Sequence, residues 1–182
     1  MKKQYAMKYP ALAKKVYTKI YRPYLYGAYG SNLNEVQMQL RCPLARKVGV
    51  VKLPNHALVF RGVADMEHKE GADIMLGVWQ ITDQCEAALD RYEGYPHFYD
   101  KQDFDISGDN FEAIYDKSFD KDYYKLMIYQ MTDQTIQYRP DQRYLQAIVS
   151  GYIDFGIPKD SIEIALKNSY VNESKDIDWR YE

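Results

Sequence analysis

The sequence predicts an α+β domain built around a curved sheet or barrel, and two patterns support this expectation. Short runs rich in Val, Ile, Tyr, Phe or Leu are bounded by turn residues, as is typical of strands. They cover residues 24–29, 45–53, 57–66, 73–81, 97–106 and 123–131. Helical periodicity occurs between and after them, at residues 34–41, 82–92, 141–155 and 159–169. Because strands and helices do not alternate regularly, the order favours α+β over repeated βαβ units.

The length and composition fit one main domain with extensions at both ends. The chain has 182 residues, of which 46% are hydrophobic, enough for one substantial core. We assign this domain to residues 24–170 and a short tail to residues 171–182. Residues 1–23 carry seven Lys or Arg and no acidic residue. Their interleaved apolar residues favour a helix packed on the domain, and an interaction arm is the alternative.

Charge, hydropathy and cysteine content narrow the functional classes. The net charge of −2 gives no general reason to expect a nucleic-acid partner. No apolar run approaches the roughly 18 residues of a membrane span, and the basic start lacks the apolar core of a secretory signal. A cytoplasmic protein with no membrane association is therefore expected. Two cysteines, Cys42 and Cys85, are too few for a disulfide framework, and the sequence leaves the oligomeric state open.

The first predicted strand ends in an abrupt Gly-Ser-Asn turn. Residues 24–33 read YLYGAYGSNL, in which Gly30, Ser31 and Asn32 separate the strand from a polar helix start at Asn34. The first backbone N–H groups of a helix have no intrahelical acceptor. Such a turn can therefore bind an anion or an oxyanion.

The clearest predicted helix follows Thr82, a plausible N-cap. Four residues recur at the spacing of one buried helix face, namely Cys85, Ala88, Leu89 and Tyr92. Gly94 can provide the left-handed residue that ends the helix. Glu93 then lies in the last turn, where the helix dipole opposes a negative charge and raises the carboxyl pKa.

The residues after Glu93 support a functional role for its carboxylate. The run EGYPHFY combines a Gly-x-Pro break with Phe98 and Tyr99 after it, which is unusual for a plain exposed connection. Most acidic residues at helix ends are simply solvated, so the position alone would be weak evidence. The whole segment nevertheless favours a carboxylate directed at a ligand.

Other familiar site patterns are missing from the sequence. Its three histidines have no ligand spacing typical of a metal site, and His68 is expected in a solvated hairpin loop beside Asp65, Glu67 and Glu70. There is no phosphate loop, dinucleotide fingerprint or nucleophile elbow. Ser31 could act as a nucleophile, but no histidine is positioned by sequence as its base, so a turn or binding role is favoured. Neither a metal nor a cofactor is expected.

Several motifs together resemble the gamma-glutamylcyclotransferase-like family. They are YGAYGSNL, LGVWQIT leading into LDRYEGYPHFY, and YKLMIYQM followed by QYRPDQRYLQAIVSGYIDFGIP. The resemblance covers roughly residues 24–167, and it rests mainly on the first motif and the Leu-Asp-x-x-Glu-Gly segment occurring in order. It implies a small, closed mixed β-barrel flanked by helices. The segments before residue 24 and after residue 170 lie outside the family pattern.

The resemblance also implies roles for individual residues. Glu93 matches the family's catalytic carboxylate. The substrate-binding loop matches Tyr26, Gly27, Ala28, Tyr29, Gly30 and Ser31. Tyr144 resembles a further binding tyrosine, and Tyr99 matches a tyrosine that follows the Glu-Gly motif and lines the pocket, with a core aromatic as the alternative.

The implied reaction is cyclisation of a small-molecule γ-glutamyl compound to 5-oxoproline, with release of an amine or amino acid. Glu93 would act as general acid and base. The sequence does not choose among γ-glutamyl amino acids, γ-glutamyl-ε-lysine and other γ-glutamyl metabolites. A non-catalytic module that binds a small molecule in the same pocket is the alternative.

Overall fold

The computed structural model describes residues 24–116, 124–133 and 136–170. The predicted basic extension, residues 1–23, and the predicted tail, residues 171–182, lie outside the described residues. Their roles therefore stay predictions. Within the described ranges, no helix is both long and apolar enough to cross a bilayer.

Six strands in the described part of the chain form one mixed sheet. They are β1 (Tyr24–Ala28), β2 (Arg46–Phe60), β3 (Ala64–Ile81), β4 (Tyr99–Ile106), β5 (Phe111–Ile114) and β6 (Tyr124–Met131). Their order across the sheet is β4-β6-β1-β3-β2-β5. Strand β1 is central, antiparallel to β3 and parallel to β6. The turn that follows β1 therefore lies between these two neighbouring strands and not at an edge of the sheet.

The predicted α+β class is confirmed, but the predicted closure of the barrel is wrong. A closed barrel requires its two edge strands to pair with each other. Here β4 and β5 stand at opposite ends of the strand order. The short strand β5, which the sequence patterns did not predict, adds to β2 at one edge and leaves the sheet open.

The prediction of separate strands at 45–53 and 57–66 is also wrong. Strand β2 runs through both regions, because Pro54 and Asn55 form an irregularity in its pairing with β3 rather than a break. Asn55 adopts a φ of 57°, a left-handed conformation that asparagine tolerates well. The hairpin turn comes later, at residues 61–63, and the second half of the predicted run belongs to β3.

The predicted loop around His68 is likewise part of this long hairpin. His68 lies in β3 and pairs across the sheet with His56, with its side chain exposed. Asp65 is fully buried, and its carboxylate is stabilised there because it accepts hydrogen bonds from the Arg61 side chain and the Met131 backbone N–H. Within this predicted acidic cluster, Asp65 lies in the core whereas Glu70 is exposed.

Among the described residues, four α-helices flank the sheet at positions close to those predicted. They are α1 (Glu35–Arg41), α2 (Asp83–Glu93), α3 (Gln142–Asp154) and α4 (Asp160–Asn168). Thr82 caps α2, and Gly94 ends it with a left-handed φ of 64°. The α2 face buries Cys85 and Leu89, which explains the second cysteine as a core residue. Tyr92, predicted on the same face, remains 45% exposed.

Helix α3 packs closely on the segment that follows β1. Residues Ser31–Leu33 form a single 3₁₀ turn between β1 and α1, and Leu33 is completely buried. A Cβ at Gly151 of α3 would lie 2.5 Å from Leu33 Cβ and 2.6 Å from Asn34 N. The missing side chain at Gly151 therefore lets α3 hold the Gly-Ser-Asn turn against the sheet.

Candidate active site

A cavity of about 210 Å³ lies where the end of β1, the β2–β3 hairpin turn and the end of α2 meet. Six tyrosines contribute to its lining, namely Tyr26, Tyr29, Tyr92, Tyr99, Tyr129 and Tyr144. The other lining residues are Gly30, Ser31, Asn32, Val63, Ala64, Glu93 and Phe98. The tyrosines supply hydroxyl groups to a largely aromatic wall, which suits a small polar ligand.

The structure brings together most of the site residues predicted from sequence. Those that line the cavity are Tyr26, Tyr29, Gly30, Ser31, Glu93, Tyr99 and Tyr144. Gly27 and Ala28 do not line it and lie within β1. A Cβ at Gly27 would meet Leu126 and Ile128 at 3.0–3.2 Å, so this glycine allows close packing of β1 on β6.

Glu93 is held by the side chain of Asn32. The Asn32 Nδ2 atom donates to Glu93 Oε1 at 2.6 Å and to the Tyr26 hydroxyl oxygen at 2.8 Å. Arg41 donates to Asn32 Oδ1 at 2.6 Å, which fixes the orientation of the amide so that its NH₂ group faces Glu93. The Asn32 backbone carbonyl accepts from Trp79 Nε1 at 3.0 Å. Both ends of Asn32 are therefore anchored.

Burial changes the acidity of Glu93. Desolvation raises the pKa of the Glu93 carboxyl from 4.5 to about 7, while the Asn32 hydrogen bond and the Arg41 charge act in the opposite direction. The direction agrees with the expectation from sequence, but removal from water is the principal cause rather than the helix end. A carboxyl group with a pKa near 7 can both accept and return a proton near neutral pH.

The backbone of Ala64 connects two tyrosines on the far wall. The Tyr99 hydroxyl donates to the Ala64 carbonyl at 2.6 Å, and the Tyr144 hydroxyl accepts from the Ala64 N–H at 3.1 Å. Desolvation is the largest cause that raises the pKa of both phenols, so they stay protonated near neutral pH. Since the Tyr144 oxygen is already an acceptor, its own proton is available to another group.

The Gly-Ser-Asn turn approaches the same wall. A Cβ at Gly30 would lie 3.0 Å from Ala64 Cβ and 3.3 Å from the Tyr144 hydroxyl. The N–H groups of Leu33 and Asn34 donate to the carbonyls of Gly30 and Ser31 within the turn. In the part of the chain that the structure describes, the Gly30 and Ser31 N–H groups donate to no protein acceptor.

Several site residues were not identified from sequence. Asn32 lies in the predicted turn, but its side-chain contact with Glu93 depends on the approach of α2. Tyr129 lines the cavity from β6, where its hydroxyl donates to Asp90 and its carbonyl accepts from the Tyr29 hydroxyl. No group of three or more potential metal ligands occurs among the described residues.

Comparison with known protein families assigns the chain to one of them. The family model described as "Gamma-glutamyl cyclotransferase, AIG2-like" matches residues 26–147, which run from within β1 through the Glu93 segment into α3. The chain belongs to this family. No curated protein sequence matches it significantly.

Solved structures of other proteins share the fold. A structure described as gamma-glutamyl cyclotransferase is 21% identical, with a TM-score of 0.66, over 86% of this chain and 94% of that chain. A human protein described as uncharacterized is 22% identical, with a TM-score of 0.65, over 85% and 92% of the two chains. YkqA from Bacillus subtilis is 19% identical, with a TM-score of 0.63, over 86% of this chain and 56% of its own.

Proposed function

We propose that this protein cyclises a γ-glutamyl group to 5-oxoproline and releases the attached amine or amino acid. The observation that carries the proposal is the position of Glu93, whose carboxylate lines the cavity and is held by Asn32 at 2.6 Å. Membership of the cyclotransferase family agrees with this reaction. A small-molecule substrate fits the cavity volume of about 210 Å³.

Glu93 is the proposed general base and acid. Its carboxylate takes a proton from the α-ammonium group of the substrate, and the free amine attacks the γ-carbonyl carbon of the same molecule. The new C–N bond closes a five-membered lactam as the original amide C–N bond breaks. The attacking nitrogen loses two protons over the reaction, and both end on the released amine, which leaves as an ammonium ion. The protonated Glu93 returns the first of them.

The turn at Gly30 and Ser31 is the proposed cradle for the substrate. The Gly30 and Ser31 N–H groups face no acceptor among the described residues and can donate to the oxyanion that develops at the γ-carbonyl. Each well-placed donor is worth roughly 3 kcal/mol in the transition state. Tyr26, Tyr29, Tyr99 and Tyr144 complete the walls that hold the folded substrate. Gly27 and Ala28 support this cradle from within β1.

Positioning accounts for much of the proposed rate increase. Both reacting groups belong to one molecule, so the protein has to stabilise a folded conformer and keep water away. No enzyme nucleophile is required, which is consistent with Ser31 pairing with the Tyr92 hydroxyl at 3.0 Å rather than with a base. The reaction as proposed uses neither a metal nor a cofactor.

The alternative function is a module that binds a small ligand in the same cavity without turnover. The pKa of Glu93 near 7 favours catalysis, since binding alone would gain little from a carboxylate that burial makes costly to ionise. The deciding experiment is a mass-spectrometric screen of γ-glutamyl compounds for 5-oxoproline release. Binding without turnover across a broad panel would support the alternative.

Isotope labelling of the same reaction distinguishes cyclisation from hydrolysis. In water enriched with heavy oxygen, cyclisation yields 5-oxoproline with no solvent oxygen, because the α-amine is the nucleophile. A control for spontaneous ring opening is run with authentic 5-oxoproline. Glutamate carrying one solvent oxygen as the primary product would identify an amidase and contradict the proposal.

A further inference from the structure

Two exposed aromatic side chains form the outer rim of the cavity. Tyr92 is 45% exposed and Phe98 is 52% exposed, although both line the cavity. The tyrosines at its inner end are buried, as shown by Tyr26 at 3% and Tyr129 at 2% exposure. The cavity therefore has a closed end rich in hydroxyl groups and an open end with accessible aromatic surface.

Both rim rings are held by contacts within the protein. The Tyr92 hydroxyl lies 3.0 Å from Ser31 Oγ, and the Arg41 guanidinium carbon lies 3.6 Å from the Tyr92 ring centroid. The Phe98 ring packs edge-on against Tyr99, with centroids 5.3 Å apart and planes inclined by 72°. A ligand that stacks on rings already fixed in position loses less entropy on binding.

The site fixes which end of a substrate meets this rim. A γ-glutamyl group has to reach the Glu93 carboxylate and the Gly30–Ser31 turn, which borders the buried tyrosines. The group attached to the departing nitrogen then extends toward the open end. Glu93 lies directly after Tyr92 at the end of α2, so this group passes beside the rim as it leaves.

We infer that the substrate is a γ-glutamyl derivative of an aromatic amine or aromatic amino acid, with Tyr92 and Phe98 forming the binding site for its ring. This inference rests on the proposed function and narrows its substrate class. Burial and edge-to-face packing of a phenyl ring against two fixed aromatic rings favour a substrate with the ring over the same substrate without it, by about tenfold or more in kcat/KM.

The test compares two pairs of compounds that differ by one phenyl ring. The first pair is γ-glutamyl-2-phenylethylamide and γ-glutamylethylamide, and the second is γ-glutamylphenylalanine and γ-glutamylalanine. The two pairs separate the effect of the ring from that of a carboxylate on the departing group. Release of 5-oxoproline gives kcat/KM for each compound, and we expect the aromatic member to be favoured about tenfold.

A variant and its matched control locate the ring-binding site. Phe98→Ala removes a rim ring and should reduce the aromatic preference to about threefold or less. Tyr95→Ala removes a neighbouring ring that is 39% exposed and does not line the cavity; the Lys101 Nζ atom lies 4.5 Å from its centroid. The Tyr95→Ala protein should keep the aromatic preference of the parent.

The outcomes separate this inference from the proposed function. Turnover with an aromatic preference below about threefold in both pairs would overturn the inference and leave the cyclotransferase function intact. A preference that survives Phe98→Ala or is lost in Tyr95→Ala would overturn the assignment to the rim. No 5-oxoproline from any compound would overturn the proposed function and this inference with it. An aromatic preference in either pair of compounds that is lost in Phe98→Ala and kept in Tyr95→Ala supports the inference.

Discussion

The Asn32 Nδ2 atom lies 2.6 Å from the Glu93 Oε1 atom, although 61 positions separate the two residues in the chain. Asn32 belongs to the turn after β1, and Glu93 ends α2. This hydrogen bond therefore joins the proposed cradle to the proposed proton carrier. It also opposes the rise in the Glu93 pKa, because it favours the ionised carboxylate.

Replacing Glu93 by Gln tests the proposed proton transfer. The change preserves side-chain size and an oxygen acceptor for Asn32 but removes the base, so turnover should fall by about two orders of magnitude or more. Ligand affinity should change much less, which calorimetry can measure with a substrate that the variant does not turn over. Turnover close to that of the parent in a folded Glu93→Gln protein would contradict the mechanism.

The same variant should change how stability depends on pH. Between pH 4.5 and about 7, the unfolded chain loses the Glu93 proton while the folded protein keeps it, so the free energy of unfolding falls as pH rises through this window. In Glu93→Gln the free energy of unfolding does not fall in this way, because glutamine does not titrate. Its melting temperature should exceed that of the parent by several degrees at pH 8, with the advantage absent at pH 4. An equal difference at both pH values would show that Glu93 ionises normally in the fold.

Gly30→Val tests the proposed cradle. A Cβ added at this position would lie 3.0 Å from Ala64 Cβ and 3.3 Å from the Tyr144 hydroxyl, and valine adds two methyl groups beyond that atom. We expect affinity for γ-glutamyl ligands to fall by about tenfold or more, while circular dichroism stays similar to that of the parent. Gly30→Ala provides a graded control with a smaller loss. Unchanged binding by the valine variant would mean that the cradle lies elsewhere.

Asp65→Ala tests the buried ion pair beside the hairpin turn that precedes Ala64. Asp65 is fully buried and accepts from Arg61 Nε at 2.9 Å, so its loss leaves the buried guanidinium paired with the partly exposed carboxylate of Glu67. The expected cost is about 3 kcal/mol, or roughly 10 °C in melting temperature.

The control for Asp65→Ala is Glu112→Ala. Glu112 pairs with Lys52 at 3.5 Å, and both side chains are more than 40% exposed. Its loss should cost less than about 1 kcal/mol. Similar losses for the two variants in thermal unfolding would show that the buried pair has no special role in the hairpin.

Local sequence signals determined much of the structure near Glu93. Thr82 as the N-cap, Gly94 as the left-handed end and the apolar spacing of Cys85 and Leu89 together specify α2, and all depend on neighbouring residues. Glu93 at the last helical position follows from them. The Gly-Ser-Asn turn after β1 was likewise predictable, because glycine and asparagine interrupt a strand through their own backbone preferences.

Tertiary structure decided how far strands extend and which side chains meet. Pro54 and Asn55 interrupt a pattern locally, yet pairing with β3 carries β2 past them through an irregularity. The sheet is open because its edge strands, β4 and β5, do not pair with each other, and such pairing is long-range.

The side-chain contacts within the site also depend on tertiary structure. Contact of Asn32 with Glu93, and of the Tyr99 and Tyr144 hydroxyls with Ala64, requires segments far apart in the chain to pack at one point. Even the acidity of Glu93 depends mainly on the surroundings that remove water from its carboxylate. The sequence by itself predicted Glu93 at a helix end and a Gly30–Ser31 turn after a strand, because capping and turn preferences are local. Their contacts and the Glu93 pKa arise only in the folded protein, because burial and long-range packing involve residues that are distant in sequence.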